Sequence, residues 1–256
     1  MRLRHFILFL ATIVAITLAS CHDEKKSEKR SDTSSTTVTT TDTTASAQQK
    51  ADHAVTAEQI KDSGIDKYFT VALVSDSLWN IMQDVATVKR NDLRHIKVLH
   101  WDHDNKTHLG EMICHRSIAD TLVAIFKELY KERYPIQRMV PAHLYGNDDE
   151  TQMRGNNTSC YCPRTVKGTR VISKHALGLA VDLNPLYNPY YKAKKDGTQE
   201  VQPSTATPYL DRKKEFSYKI DHNDLAYRIF TSHGFSWGGD WKSCKDYQHF
   251  EYRKVN

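Results

Sequence analysis

The chain has 256 residues, of which 39% are hydrophobic, and its 36 Lys and Arg outweigh 31 Asp and Glu by a formal net charge of +5. That length provides one domain with a sizeable core once terminal segments are set aside. So mild a positive excess, with no concentrated basic stripe, argues against nucleic-acid binding.

Arg2 and Arg4 open the chain, followed by an apolar run from Phe6 to Leu18 and by Leu18-Ala19-Ser20-Cys21. The run is shorter than the ~20 apolar residues that span a bilayer and matches a signal-peptide core. Residues 1–20 are therefore expected to be a lipoprotein signal peptide, cleaved before Cys21, whose thiol takes a lipid. Several acyl chains on one residue give stable anchoring. His22 in place of aspartate argues against retention at an inner membrane, which points to the outer membrane of an organism with two, while Asp23-Glu24 leaves surface display open. Losing Arg2 and Arg4 lowers the formal charge to +3. Residues 22–60 are rich in Lys, Glu, Ser, Thr, Gln and Ala, and Ser31 to Thr44 is almost wholly hydroxyl-bearing. Such a segment cannot bury enough apolar area to offset its ordering entropy, so residues 21–64 read as a disordered tether and 65–256 as one domain.

Within that domain, Leu93 to Leu99 and Thr107 to Ile113 read as strands of a hairpin around Asp104-Asn105-Lys106. Ser117 with Asp120 resembles a capping box for a helix carrying Leu122, Ile125, Phe126, Leu129 and Tyr130, ended by Pro135. Asn223 is the expected cap of a second helix with Leu225, Ile229 and Phe230, stopping at His233-Gly234. The proline-rich stretch 185–215 reads as a long loop forming one wall of a cleft. Helices flanking a small, mostly antiparallel sheet make an α+β domain.

The chemistry concentrates at Ser173-Lys174-His175-Ala176-Leu177-Gly178-Leu179-Ala180-Val181-Asp182-Leu183-Asn184, which sets an imidazole and a carboxylate in an apolar run. Burying both costs several kcal/mol unless they are compensated, and a metal cation compensates them efficiently. Strand alternation over 179–183 turns Leu179, Val181 and Leu183 to one face and Asp182 to the other. A second stretch, Trp237-Gly238-Gly239-Asp240-Trp241 followed by Asp246-Tyr247-Gln248-His249-Phe250-Glu251, offers another histidine with an acid three positions ahead. His175, Asp182 and His249 are the expected metal ligands, with zinc the natural occupant of a mixed nitrogen and oxygen set.

The pattern Ser-x-His-x-x-Gly-x-Ala-x-Asp, Gly-Gly-Asp-Trp and Asp-x-x-His-Phe-Glu resembles the zinc D-alanyl-D-alanine carboxypeptidases and L-alanyl-D-glutamate endopeptidases, including the vancomycin-resistance carboxypeptidases. The resemblance covers most of residues 90–253 and takes in Asn156-Asn157-Thr158-Ser159 and Arg164. It implies zinc on His175, Asp182 and His249, a general base at Asp246, and a substrate or transition-state contact at Arg164. It also implies peptidoglycan stem peptides as substrates, with trimming of a terminal D-alanine and cleavage inside the stem both open. Many members carry glutamate where this chain has Asp246, and asparagine where it has Cys162. Hedgehog signalling domains share this type of fold, so a zinc-stabilised wall-peptide binder that does not cut is the alternative. A monomer is expected, and a slightly basic surface favours approach to an anionic wall.

Asp240 or Glu251 is expected to orient a ligand histidine, and Trp237 and Trp241 to serve as core or cleft wall. His95, His100, His103, His108, His115 and His143 fall in and around the hairpin, whose alternation scatters them over both faces, and are not read as a second metal site. In an exported chain Cys114, Cys160, Cys162 and Cys244 are free to form disulfides. A bridge from Cys160 or Cys162 to Cys244, tying the Arg164 loop to the Asp246 loop, is the preferred pairing, with a structural zinc on the cysteines as its rival.

Overall fold

The computed structural model describes residues 53–253. The signal segment, Cys21 and the tether up to residue 52 lie outside the described residues. In chain order the elements are β1 (His53–Ala54), α1 (Ala57–Ser63), β2 (Thr70–Leu73), α2 (Asp76–Met82), β3 (Leu93–Trp101), β4 (Thr107–His115), α3 (Ala119–Lys131), α4 (Asp149–Arg154), β5 (Ala180–Asp182), β6 (Tyr190–Ala193), β7 (Gln199–Gln202), α5 (Leu225–Ser232), β8 (Phe235–Trp237), β9 (Lys245–Asp246) and β10 (His249–Tyr252). The class is α+β, as the sequence implies, but the strands form three small antiparallel sheets rather than one. Their orders are β1-β4-β3-β2, β5-β10-β8 and β7-β6-β9. No helix among the described residues is long and apolar enough to cross a membrane.

The β3–β4 hairpin is the longest pairing, running from Leu93 opposite His115 to Trp101 opposite Thr107. Alternation sends Ile96, Val98 and Met112 into the core, where they meet Leu122, Ile125, Phe126 and Leu129 of α3. The same core continues through Leu179, Val181 and Leu183 around β5 and through Phe230, Phe235 and Phe250. Phe230 of α5 stacks on Phe250 of β10 with ring centroids 4.4 Å apart. Each such side chain, fully buried, contributes about 1.5–3 kcal/mol of transfer free energy. This apolar slab holds β5 and β10 rigidly beneath the polar face they share.

Four expectations are corrected. The tether does not extend to residue 64, because His53 and Ala54 pair with Leu109 and His108 of β4 and α1 follows at once. Ser117 does not cap α3: its hydroxyl meets His115 Nδ1 at 2.7 Å, and Ile118 stands at the N-cap without a side-chain bond. Asp224 rather than Asn223 caps α5, accepting from the Ala226 and Tyr227 amides. Segment 185–215 is not a plain loop, since it contains the β6–β7 hairpin and a 3-10 turn at Ser204–Tyr209.

Candidate metal centre and cleft

His175 is carried by a 3-10 turn, His175–Leu177, that closes through Gly178 at φ 66°. A side chain at Gly178 would also collide with the main chain, because an added Cβ would lie 2.6 Å from the His115 nitrogen. That nitrogen donates to the Gly178 carbonyl at 2.9 Å and docks the turn on the end of β4. Ser173 Oγ accepts from the His175 amide at 3.2 Å, and the Thr87 hydroxyl donates to the Ala176 carbonyl. The turn is therefore pinned on both sides.

Asp182 and His249 face each other in register across β5 and β10. On its other side β5 is held by Ser159, which exchanges backbone hydrogen bonds of 3.1 and 2.9 Å with Asp182. The Asn156–Ser159 run thus serves to fix the chain around the site: Asn156 Oδ1 accepts from the Leu186 amide, and Asn157 pairs with the main chain of Val140.

These elements bring three donor atoms together. His175 Nε2 lies 3.1 Å from His249 Nδ1 and 3.1 Å from Asp182 Oδ2, and His249 Nδ1 lies 3.1 Å from Asp182 Oδ1. All three residues are buried. His175 Nδ1 donates to the Cys160 carbonyl at 2.8 Å, which leaves Nε2 with its lone pair facing the cluster when the ring is neutral. Tetrahedral zinc with ligand bonds of about 2.0–2.1 Å would hold its donors roughly 3.3 Å apart. The chemistry and spacing of this set therefore fit a zinc ion, and His175, Asp182 and His249 are the one group among the described residues placed to share a cation.

The electrostatics fit as well. Burial would raise the pKa of Asp182, but the two imidazoles hold it well below the usual carboxylate range. Burial opposes a charge on His249, yet Asp182 and Glu251 outweigh it and raise the pKa to about 10. Glu251 stands 3.7 Å from His249 Nε2, so it acts by charge rather than by a short hydrogen bond. Asp240 does not orient a ligand; it holds His222 Nε2 at 2.7 Å. For His175 the orienting group is the Cys160 carbonyl, which the sequence pattern did not reveal.

A cavity of about 220 Å³ opens over the cluster, lined by Arg164, Asp149, Tyr190, Lys192, Trp241 and Asp246 besides the three ligand candidates. Asp246 Oδ1 is buried with no partner. Burial drives that carboxyl up to about 7, with Asp182 adding to the rise and His249 and Arg164 opposing it. β9 is placed by pairing with β6, Tyr190 opposite Asp246, so the overlooked hairpin both walls the cleft and sets the acid in place. The Asp196-Gly197 dipeptide between two polar-aromatic runs was the available signal for it. Gly238 explains the Gly-Gly motif: a Cβ there would lie 2.6 Å from the Asp246 carbonyl oxygen and 3.2 Å from His249 Cβ. Trp237 is core, 3% exposed, while Trp241 packs on the His249 ring at 5.2 Å.

Arg164 reaches the same cleft, its Nε 3.0 Å from Asp149 Oδ1. The expected disulfide is absent: Cys114, Cys160, Cys162 and Cys244 are all free thiols. Cys160 Sγ instead faces the Gly178 carbonyl at 3.3 Å, Cys162 Sγ lies 3.4 Å from Gln152 Nε2, and Cys244 lies beside Ser243. The hairpin histidines find other partners, His95 on Glu111 at 2.9 Å, His108 on Asp102 at 2.8 Å and His100 on the Ile136 carbonyl at 2.7 Å.

Fold and site together define an α+β protein with a candidate metal centre at the floor of a polar cleft. Residues 167–252 match the family model described as D-alanyl-D-alanine carboxypeptidase, a segment that holds His175, Asp182, Asp246 and His249 and begins just after Arg164. The resemblance read from the sequence motifs is thereby supported. No curated protein and no solved structure gives a significant match.

Proposed function

We propose that the protein is a zinc metallopeptidase that hydrolyses a D-amino-acid-containing bond in peptidoglycan stem peptides, exported and held at the bacterial envelope by lipid on Cys21. The observation that carries this reading is the convergence of His175 Nε2, Asp182 and His249 Nδ1 within 3.1 Å of one another beneath a cleft that also holds Asp246 and Arg164. Bound there, zinc supplies a Lewis acid and lowers the pKa of water to about 7. His175, Asp182 and His249 would hold it, and the cavity they line would admit the substrate. Asp246, whose Oδ1 has no partner, receives the proton of the attacking water and passes it to the departing amine. Arg164 offers a guanidinium to the oxyanion or to a substrate carboxylate. The matched family model favours release of a terminal D-alanine over cleavage inside the stem.

Purified protein incubated with stem pentapeptide is expected to release D-alanine, detected by mass spectrometry, and to lose that activity in chelator and regain it with zinc. Binding of the peptide without cleavage would replace the enzyme by a wall-peptide binder, and cleavage between L-alanine and D-glutamate would reassign the bond.

A further inference from the structure

Arg164 sits in the cleft beside a carboxylate that neither the motif resemblance nor the matched segment assigns. Asp149, at the first position of α4, is three-quarters buried like Arg164 itself, each side chain 25% exposed, and the two meet at 3.0 Å between Oδ1 and Nε. Both line the cavity over the His–Asp–His cluster. The contact is an ion pair whose closest approach is at Nε, and since Nε finds no hydrogen-bond partner, Asp149 holds the guanidinium by charge. A guanidinium carries five donors in a planar fork, so one held in place by a neighbouring carboxylate still has donors to offer a second.

We propose that Asp149 is a positioning residue: its carboxylate, 3.0 Å from Arg164 Nε, holds the guanidinium in the cleft by charge so that its donors are presented to a carboxylate or oxyanion of the substrate. α4 is itself anchored, because Asp148 accepts from the Thr151 amide at 2.8 Å and Glu150 accepts from the Ser204 amide at 2.7 Å. Asp149 therefore occupies a fixed point against which a long, flexible side chain can be aimed. The inference rests on the proposed function, because it gives Arg164 a substrate to meet.

The test is a double-mutant cycle on the zinc-loaded protein, with Asp149→Ala, Arg164→Ala and the double variant assayed for kcat/KM on stem pentapeptide. Binding of D-alanyl-D-alanine to chelator-stripped protein is measured alongside by calorimetry. Asp149→Ala is expected to lower kcat/KM at least tenfold, Arg164→Ala by as much or more, and the double variant no further than Arg164→Ala alone, with zinc content unchanged. Asp149→Glu should recover part of the loss, and Asp149→Asn, which keeps the shape and an acceptor, serves if the alanine variant folds poorly. Losses that add in full, or an Asp149→Ala protein with wild-type kcat/KM and binding, overturn the inference. A wild-type protein that neither cleaves nor binds sinks the functional reading and the inference with it, whereas active wild type with additive losses sinks the inference alone.

Discussion

At the scale of single residues the cleft separates two acids by their surroundings. Asp182 lies against two imidazoles and is kept ionised, whereas Asp246 faces mainly buried surroundings and is pushed up to about 7. A carboxyl near neutrality is matched to proton transfer from water at working pH, while one far below would be a poor base. Burial raises this carboxyl to about 7 and a bound dication would lower it, so an activity that depends on the Asp246 carboxylate should be lost on the acid side of a pH–kcat profile, with its midpoint at or below about 7. Asp246→Asn keeps the volume and removes the base, so kcat should fall by about 10²–10⁴ while metal analysis still finds one zinc per chain. Loss of zinc in that variant would make Asp246 a ligand instead, and full activity would remove it from the reaction.

At the scale of elements, the strand pattern was legible wherever the physics was local. Alternation placed Asp182 on the face away from Leu179, Val181 and Leu183, and the structure puts it opposite His249 as two paired strands require. Caps were read one residue out, because Asn223 and Asp224 offer equivalent chemistry and only the backbone path decides between them. What could not be read was partnership across the chain. Nothing near Arg164 in sequence announces Asp149, and nothing near His175 announces the Cys160 carbonyl. The Gly238-Gly239 pair was visible as a motif, but its reason lies in the crossing of β9 and β10. Gly238→Ala should force Cβ into Asp246 and His249 at distances no rotamer can relieve, since the atoms met are a main-chain oxygen and two Cβ carbons. Overpacking of this kind costs about 1–3 kcal/mol. We expect kcat/KM to drop more than a hundredfold with weakened zinc retention, measured by steady-state kinetics and metal analysis. Wild-type values for both would show that β9 and β10 yield without moving the site.

At the scale of the whole molecule, the three sheets meet at one point. The His175 turn hangs from β4 of the first sheet through the His115 amide and the Gly178 carbonyl, Asp182 and His249 belong to the second, and Asp246 is placed by the third. A cation gripped by His175, Asp182 and His249 therefore cross-links elements whose other contacts run through the core behind them, so its binding energy belongs to the fold as well as to the reaction. Zinc at a thousandfold excess over its Kd stabilises the native state by about 4 kcal/mol, and a domain of this size changes Tm by about 2–4 °C per kcal/mol. Chelation should thus lower Tm by roughly 10 °C in scanning calorimetry, with readdition restoring it. His249→Ala protein supplies the control, because it should melt at one temperature whether or not zinc is present. Equal melting of the wild type with and without chelator would mean that the three donors are held together by the core alone, as a buried hydrogen-bond network with no ion to share.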